Sequence, residues 1–456
     1  MLVRFFNDRS RCALWAVSAA MFCVSLDFFA LNLALPRMSA DLHASPAGMQ
    51  WVLSGYLLAS GALMIAGGRL GDLFGHRRLL IAGMSLFGSA SLLCALAVSA
   101  PMLVACRVVQ GAGVAFVMPV GFALLTHAVA AERRARANGF VFAVAGIGLA
   151  AGPFMGGLLT QTVGWRWLFL LNVPLALAAI VLAGRAAETR PAKASGSVDW
   201  LGLLTVTGAI AGGTIALDRA ASWGWASPRT LTVLVTAAVL AAVFVRVESR
   251  VSWPLVDLTL FRNRMFVIIT AGGAVTGAAA SVYLFSAGLD LEEVRHLSPG
   301  TAGVTLLVPA VATALAGPVA GRLDKIGPLK VMAAAAGLGG VAILALSRAE
   351  RLALYLPLLA LCGGALKVAN ALTVIATQSV IRPERAGEAS GVTMTAIVAA
   401  GGVGIALTGS TLPERVSTGA LQGPLTVTAA ACLLTAGVLA LCHHRRTATT
   451  GDTLAK

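Results

Sequence analysis

The chain has 456 residues, 58% hydrophobic and only 12% charged, with a mean hydropathy of +0.86. A soluble domain typically carries about 25% charged residues, so this composition excludes a water-soluble globular protein and predicts an integral membrane protein. The net charge of +15 is spread over many short segments, which excludes a nucleic-acid patch and fits contact with anionic headgroups.

Fifty glycines and three tyrosines suit close helix packing rather than a barrel with aromatic girdles, so an all-α membrane protein is expected. A bilayer core of about 30 Å needs roughly 20 apolar residues per helix. Such runs lie near 13–36, 49–69, 79–99, 101–125, 138–160, 166–186, 201–218 and 228–246, and then near 265–288, 302–321, 330–347, 352–376, 391–411 and 425–443, giving 14 transmembrane helices. The first follows Arg4, Arg9 and Arg11 but is too long for a cleaved signal peptide, so it is expected to remain as a span. The seven cysteines fall in or beside these runs without a CxxC, which indicates neither a disulfide framework nor a metal site.

With the N-terminus inside, 24 of the 34 Lys and Arg residues fall on the cytoplasmic side and eight on the other, while Arg107 and Lys367 lie within spans. This excess follows the positive-inside rule and predicts a multi-pass protein of the cytoplasmic (inner) membrane with both termini cytoplasmic.

The loop from Gly68 to Arg78 (GRLGDLFGHRR) has a partner from Gly321 to Lys330 (GRLDKIGPLK). Asp72, Gly75 and Arg78 match Asp324, Gly327 and Lys330 at an offset of 252 residues, and Ala137 and Gly139 match Ala389 and Gly391. Each loop follows the second span of its half. The repeat predicts two parallel six-helix bundles at 1–186 and 264–444, a linker with two inserted helices at 187–263 and a cytoplasmic tail at 445–456. Parallel repeats about a midplane site are a transporter architecture.

The repeated loop resembles the signature of the major facilitator superfamily. Leu103 to Gly113 (LVACRVVQGAG) resembles its fourth-helix motif, and Gly148 to Gly157 (GLAAGPFMGG) resembles the fifth-helix motif of its drug antiporters. Leu26 to Pro36 (LDFFALNLALP) and Trp165 to Pro174 (WRWLFLLNVP) are similar to its fourteen-helix drug:proton antiporter branch. In the second half that branch often carries a Gln where this chain has Glu292.

Asp27 is the strongest polar signal, because an aspartate near a helix centre costs roughly 3 kcal/mol on insertion scales. Arg107 is its expected partner. Counting inward from Pro36 and from Pro101 puts them about 13 Å and about 9 Å deep. Protonation of Asp27 would release Arg107, a proton-linked switch; a purely structural ion pair is the alternative. The resemblance implies proton coupling for this pair. Gly68, Asp72, Gly75, Arg77, Arg78, Asp324, Gly327 and Lys330 are expected to form gating loops, with Asp72 accepting from backbone N–H groups or from a cation on a neighbouring helix. Gly148, Gly152 and Gly156 give one smooth helix face beside Pro153 and Gly157, suited to close packing; the resemblance associates that face with antiport. Asn32, Gln110, Lys367, Asn370 and Gln378 are candidate lining residues of a substrate cavity, although Lys367 could instead snorkel toward the cytoplasm. Asp290, Glu292 and Glu293 are expected as a solvated outer rim, and Trp223 and Trp225 as interface anchors.

These features imply a proton-coupled exporter of lipophilic drugs or antibiotics working by alternating access, with no enzymatic activity. No cofactor is expected beyond the proton gradient, since no GxxxxGK[ST] loop is present. The partners expected are a small lipophilic substrate, protons and the bilayer, with the chain acting as a monomer. The alternatives are a dedicated exporter of one endogenous metabolite or antibiotic, and a non-transporting scaffold or sensor in which Asp27 and Arg107 are dispensable.

Overall fold

The computed structural model describes residues 8–31, 34–44, 46–188, 199–251, 254–297, 299–323, 326–382, 385–412 and 417–454. Among these residues the regular structure is entirely helical, and 14 helices are long and apolar enough to cross a membrane.

The first bundle comprises α1 (Asp8–Ala30), α3 (Pro46–Phe74), α4 (His76–Ala95), α5 (Ala100–Ala128), α6 (Ala131–Thr162) and α7 (Arg166–Arg185). A short helix, α2 (Leu35–Asp41), lies between α1 and α3. The second bundle comprises α10 (Arg264–Leu289), α11 (Pro299–Leu323), α12 (Pro328–Leu346), α13 (Leu352–Val380), α14 (Ala386–Thr411) and α15 (Thr418–Leu454). Between them run α8 (Trp200–Trp223) and α9 (Pro228–Glu248). An even number of spans puts both termini on one side, called here the terminal face.

The first span is shorter than the apolar run 13–36 implies. Helix α1 stops at Ala30, and Pro36 occupies the first turn of α2, where its missing N–H costs nothing but where a continuing helix would lose a bond. Asp27 is therefore one turn from the end of α1, not deep below it. It is nonetheless enclosed, because α2 folds back over the bundle end: Met38 is fully buried beside Ala30, Leu31 and Trp165. The division around Pro101 is sharp. Ser99 caps α5 by accepting from the Met102 N–H at 3.4 Å, with Pro101 in the first turn. At the other end of the chain α15 runs on to Leu454, so the segment 445–454 continues the last span as a helix.

Glycine sets the packing between bundles, along two seams: α6 against α11 and α3 against α14. A Cβ on Gly139 would strike the Gly317 carbonyl at 2.5 Å, and one on Gly391 the Met64 carbonyl at 2.8 Å. These glycines are repeat mates, 252 residues apart, so the seams are related by the internal repeat. Backbones approach this closely only where a side chain is absent. Further contacts, Ala135 with Gly321 and Gly61 with Val398, also lie in the terminal halves of these helices. Toward the opposite face Gly148 and Gly156 rest on α1, and Gly401 and Gly404 on α10, each within its own bundle. Helix α8 lies against both α3 and α14, and α9 packs mainly on α8.

Candidate functional site

Three helices of the first bundle converge on Asp27, which is 4% exposed. Its Oδ2 accepts from Arg107 Nη1 of α5 at 2.6 Å, and its Oδ1 accepts from Asn172 Nδ2 of α7 at 2.6 Å and from Gln110 Nε2 at 3.3 Å. Arg107 is fully buried; it also donates to Gln110 Oε1 at 2.6 Å and to the Val52 carbonyl of α3 at 3.1 Å. Its guanidinium lies 4.0 Å from the centroid of the Tyr56 ring, a cation–π contact in a site that excludes water. Gln110 is oriented in turn by donating to Ser91 at 2.6 Å. The site is neutral with Asp27 ionised. Protonating Asp27 would turn its accepting oxygen into a donor and leave a buried guanidinium uncompensated, so one proton changes the stability of the whole cluster.

Gln110 was expected to line a cavity. It is fully buried instead, because its position one turn after Arg107 on α5 puts its amide between the two charges. Asn172 lay in a quoted motif without a role assigned; an amide one turn from Phe169 in an otherwise apolar helix was the available signal.

Asp72 forms a second cluster at the terminal face. It is 5% exposed, and its carboxylate accepts from the backbone N–H groups of Gly387 at 3.0 Å and Glu388 at 2.8 Å. These are first-turn donors of α14 that no intrahelical carbonyl can satisfy, so Asp72 of one bundle caps a helix of the other. His76 stands 2.9 Å away on the same carboxylate. Gly68 packs directly on Gly387, leaving no room for a Cβ. Glu388 continues the chain of contacts by accepting from the Asp257 N–H at 2.5 Å, and Asp257 pairs with Arg385 at 2.6 Å. Burial acts to raise the Asp257 pKa, but hydrogen bonds from Thr259 and the Arg385 guanidinium outweigh it and hold it below the usual carboxylate value. The charge of Asp72 is met by backbone dipoles and His76 rather than by a cation of a neighbouring helix. An acid at the start of a span, Glu388, was the signal for the missed partner.

The other residues expected in the gating loops divide. Gly75 and Gly327 both adopt positive φ, 99° and 112°, at the starts of α4 and α12, as a repeated tight turn requires. Arg77 and Arg78 turn away from the second bundle to Glu188, at 3.4 and 3.6 Å, because the chain leaving α7 passes beside them. Lys330 is exposed. Asp324 and Asn32 lie outside the described residues, as do the side chains of Pro153 and Glu292. Gly152 is buried and Gly157 partly buried on α6.

In the second bundle Asn370 accepts from Thr276 at 3.3 Å. Gln378 is 8% exposed, accepting from Asn138 of α6 at 3.2 Å and donating to Ser390; it bridges the bundles rather than lining open space. Lys367 places its Nζ 4.8 Å from the centroid of the Phe142 ring of α6, so it reaches across the seam. Asp290 is not part of a solvated rim. It is 7% exposed and paired with Arg295 at 2.6 Å, since α10 ends in a wide turn, Asp290–Val294, that brings the two together. Glu293 is exposed. All seven cysteines are free.

Two repeated helical bundles, joined on one side by an acid-capped seam and enclosing a buried ion pair, define a membrane transporter. The sequence model of the Major Facilitator Superfamily matches residues 17–405 and again 269–454, the second match starting 252 residues after the first. The chain belongs to this superfamily. It is 34% identical over 417 residues to the multidrug resistance protein Stp of Mycobacterium tuberculosis, a match covering 90% of this chain and 77% of that one. It is also 34% identical over 415 residues to the tetracenomycin C resistance and export protein of Streptomyces glaucescens, covering 88% and 76%. The crystal structure of the human organic anion transporter MFSD10 shares the fold, with a TM-score of 0.70 and 14% identity over 94% of this chain and 99% of that one.

Proposed function

We propose that this protein exports lipophilic drugs or antibiotics across the cytoplasmic membrane by proton antiport, with its terminal face toward the cytoplasm. The observation that carries the coupling is the enclosed Asp27–Arg107 pair, whose stability one proton changes. Relatives named for multidrug resistance and for antibiotic resistance and export support the substrate class. The basic residues gathered on the terminal side support the orientation.

In this reading the closed Asp72 seam belongs to the outward-facing state. A proton entering from outside loads Asp27 and frees Arg107, Gln110 and Asn172 to rearrange. The strain weakens the packing of α1 against α5 and α7, the bundles rock, and the terminal seam parts. Loss of the proton to the cytoplasm restores the pair and lets the next substrate bind. The chain contains both bundles and so works as a monomer, without a cofactor.

Purified protein in proteoliposomes with an imposed pH gradient tests this, using tetracycline and chloramphenicol as transported probes. Efflux that follows the gradient and collapses in Asp27→Asn is the expected result. Efflux indifferent to the gradient, or undiminished in Asp27→Asn, would remove proton coupling. A protein that moves neither probe nor any of a wider lipophilic panel would point to the scaffold alternative.

A further inference from the structure

The interior of the first bundle is electrically closed: Arg107 is neutralised by Asp27, with Gln110 and Asn172 saturating the carboxylate. Lys367 is different. It lies 15 residues after the start of α13 and 13 before its end, about 22 Å and about 20 Å along the helix, too far for its side chain to reach either surface. It does not snorkel. Its ammonium stands on the Phe142 ring of the opposite bundle, and among the described residues no carboxylate comes within 4 Å of it. The residue as a whole is half-buried.

An ammonium at this depth is costly to hold in the bilayer, and a single ring face returns only part of that cost. Something else is needed to balance it. The amide one turn further along α13 is already engaged, Asn370 with Thr276, and Gln378 toward the end of α13 is engaged with Asn138 and Ser390. A lipophilic cation would meet an uncompensated like charge here and find no free carboxylate among the described interior residues. A lipophilic acid would meet its counter-ion.

We propose that Lys367, backed by Phe142, is the recognition point for an acidic group on the substrate, so that the protein selects lipophilic anions over lipophilic cations. This rests on the export reading above and names its substrate class. The ion pair forms at the seam between bundles, where α13 meets α6, so the bound acid also bridges the two moving bodies.

The test uses the full chain in nanodiscs and two dyes sharing a xanthene skeleton, anionic fluorescein and cationic rhodamine 123, titrated by fluorescence anisotropy at pH 7.5. Fluorescein is expected to bind more tightly. Lys367→Gln should weaken fluorescein by about tenfold or more, one charge-assisted contact, and leave rhodamine 123 unchanged or tighter. Lys367→Arg should keep fluorescein binding within about threefold, which a merely structural lysine would not predict. Preference for rhodamine 123, equal losses for both dyes in Lys367→Gln, or no fluorescein binding at all overturns the proposal. Gradient-driven efflux separates it from the export reading. Efflux of rhodamine 123 alone would keep export and remove anion selection. Selective fluorescein binding without efflux of either dye would keep the site and remove export.

Discussion

Asp27 and Arg107 in the first bundle form an enclosed and mutually neutral pair, whereas the second bundle holds one lysine facing its neighbour across the seam. The repeat sharpens this difference. At the 252-residue offset Asp27, Arg107 and Gln110 correspond to Ala279, Leu359 and Cys362, which are 1%, 0% and 0% exposed. The same fold therefore fills these positions with apolar side chains in one half and an ion pair in the other. Replacing a buried pair by well-packed apolar residues is often neutral or stabilising. At these positions one half of the fold is built without the pair, which supports the coupling role proposed for it in the other half.

The sharpest way to break this comparison is to leave one charge behind. Arg107→Leu should cost about 3–5 kcal/mol by stranding the Asp27 carboxylate, read as a lower unfolding midpoint in detergent. Adding Asp27→Asn to it should recover most of that stability without restoring transport, which separates the folding role from the coupling role. If the single variant is as stable as the parent, the site is not closed to water.

Asp27→Asn alone keeps the shape and removes the ionisable group. Gradient-driven efflux in proteoliposomes should fall by about a hundredfold, near the upper end of coupling energies between sites. Binding of substrate at fixed pH should survive. Equal loss of binding and transport would mean that the first bundle also reads the substrate.

The seam can be probed with a single methyl group. Gly391→Ala places a Cβ 2.8 Å from the Met64 carbonyl and 3.2 Å from the Ile65 Cα, whereas Gly402 on the same helix has nothing within 4 Å. We expect Gly391→Ala to destabilise the closed terminal face by about 1–3 kcal/mol and Gly402→Ala to leave it unchanged. Spin-label distances across the terminal face distinguish the two.

The smallest effect is expected at the loop that supports the Asp72 seam. The Asp257–Arg385 pair is partly exposed, with side chains 24% and 34% accessible, so Arg385→Ala should cost at most about 1 kcal/mol at neutral pH. The folded Asp257 carboxyl is held below its ordinary value. Its contribution is thus present above about pH 4, the unfolded value, and fades as pH falls through the lower folded value. A difference between parent and Arg385→Ala that does not shrink as the pH is lowered from neutral into the acid range would assign the effect to packing.

Much of this was legible in the sequence because a bilayer admits few solutions. Spans must be long and apolar, and a repeated loop betrays a repeated bundle. A charge in lipid is costly enough that Asp27 called for a partner and Arg107 was the candidate, although α1 ends at Ala30 and the depth counted from Pro36 was too large. The partners that complete each site were less visible. Gln110 read as a cavity residue and Asn172 as part of a motif, since an amide costs too little to announce where it must point. Asp290 read as solvated because its partner Arg295 depends on a wide helical turn that periodicity does not reveal.

What the sequence determined by itself is the run of apolar segments long enough to cross, the 252-residue repeat and the residue types that cannot be buried alone. Only the tertiary structure decided which face is closed, that Asp72 caps a helix of the opposite bundle, and that Lys367 crosses the seam to Phe142 instead of reaching for the surface. The physical reason is one of range. Hydropathy and helix periodicity act along the chain and are written in consecutive residues. The closure of a seam depends on backbones well over a hundred residues apart approaching closely enough that a single Cβ decides the contact.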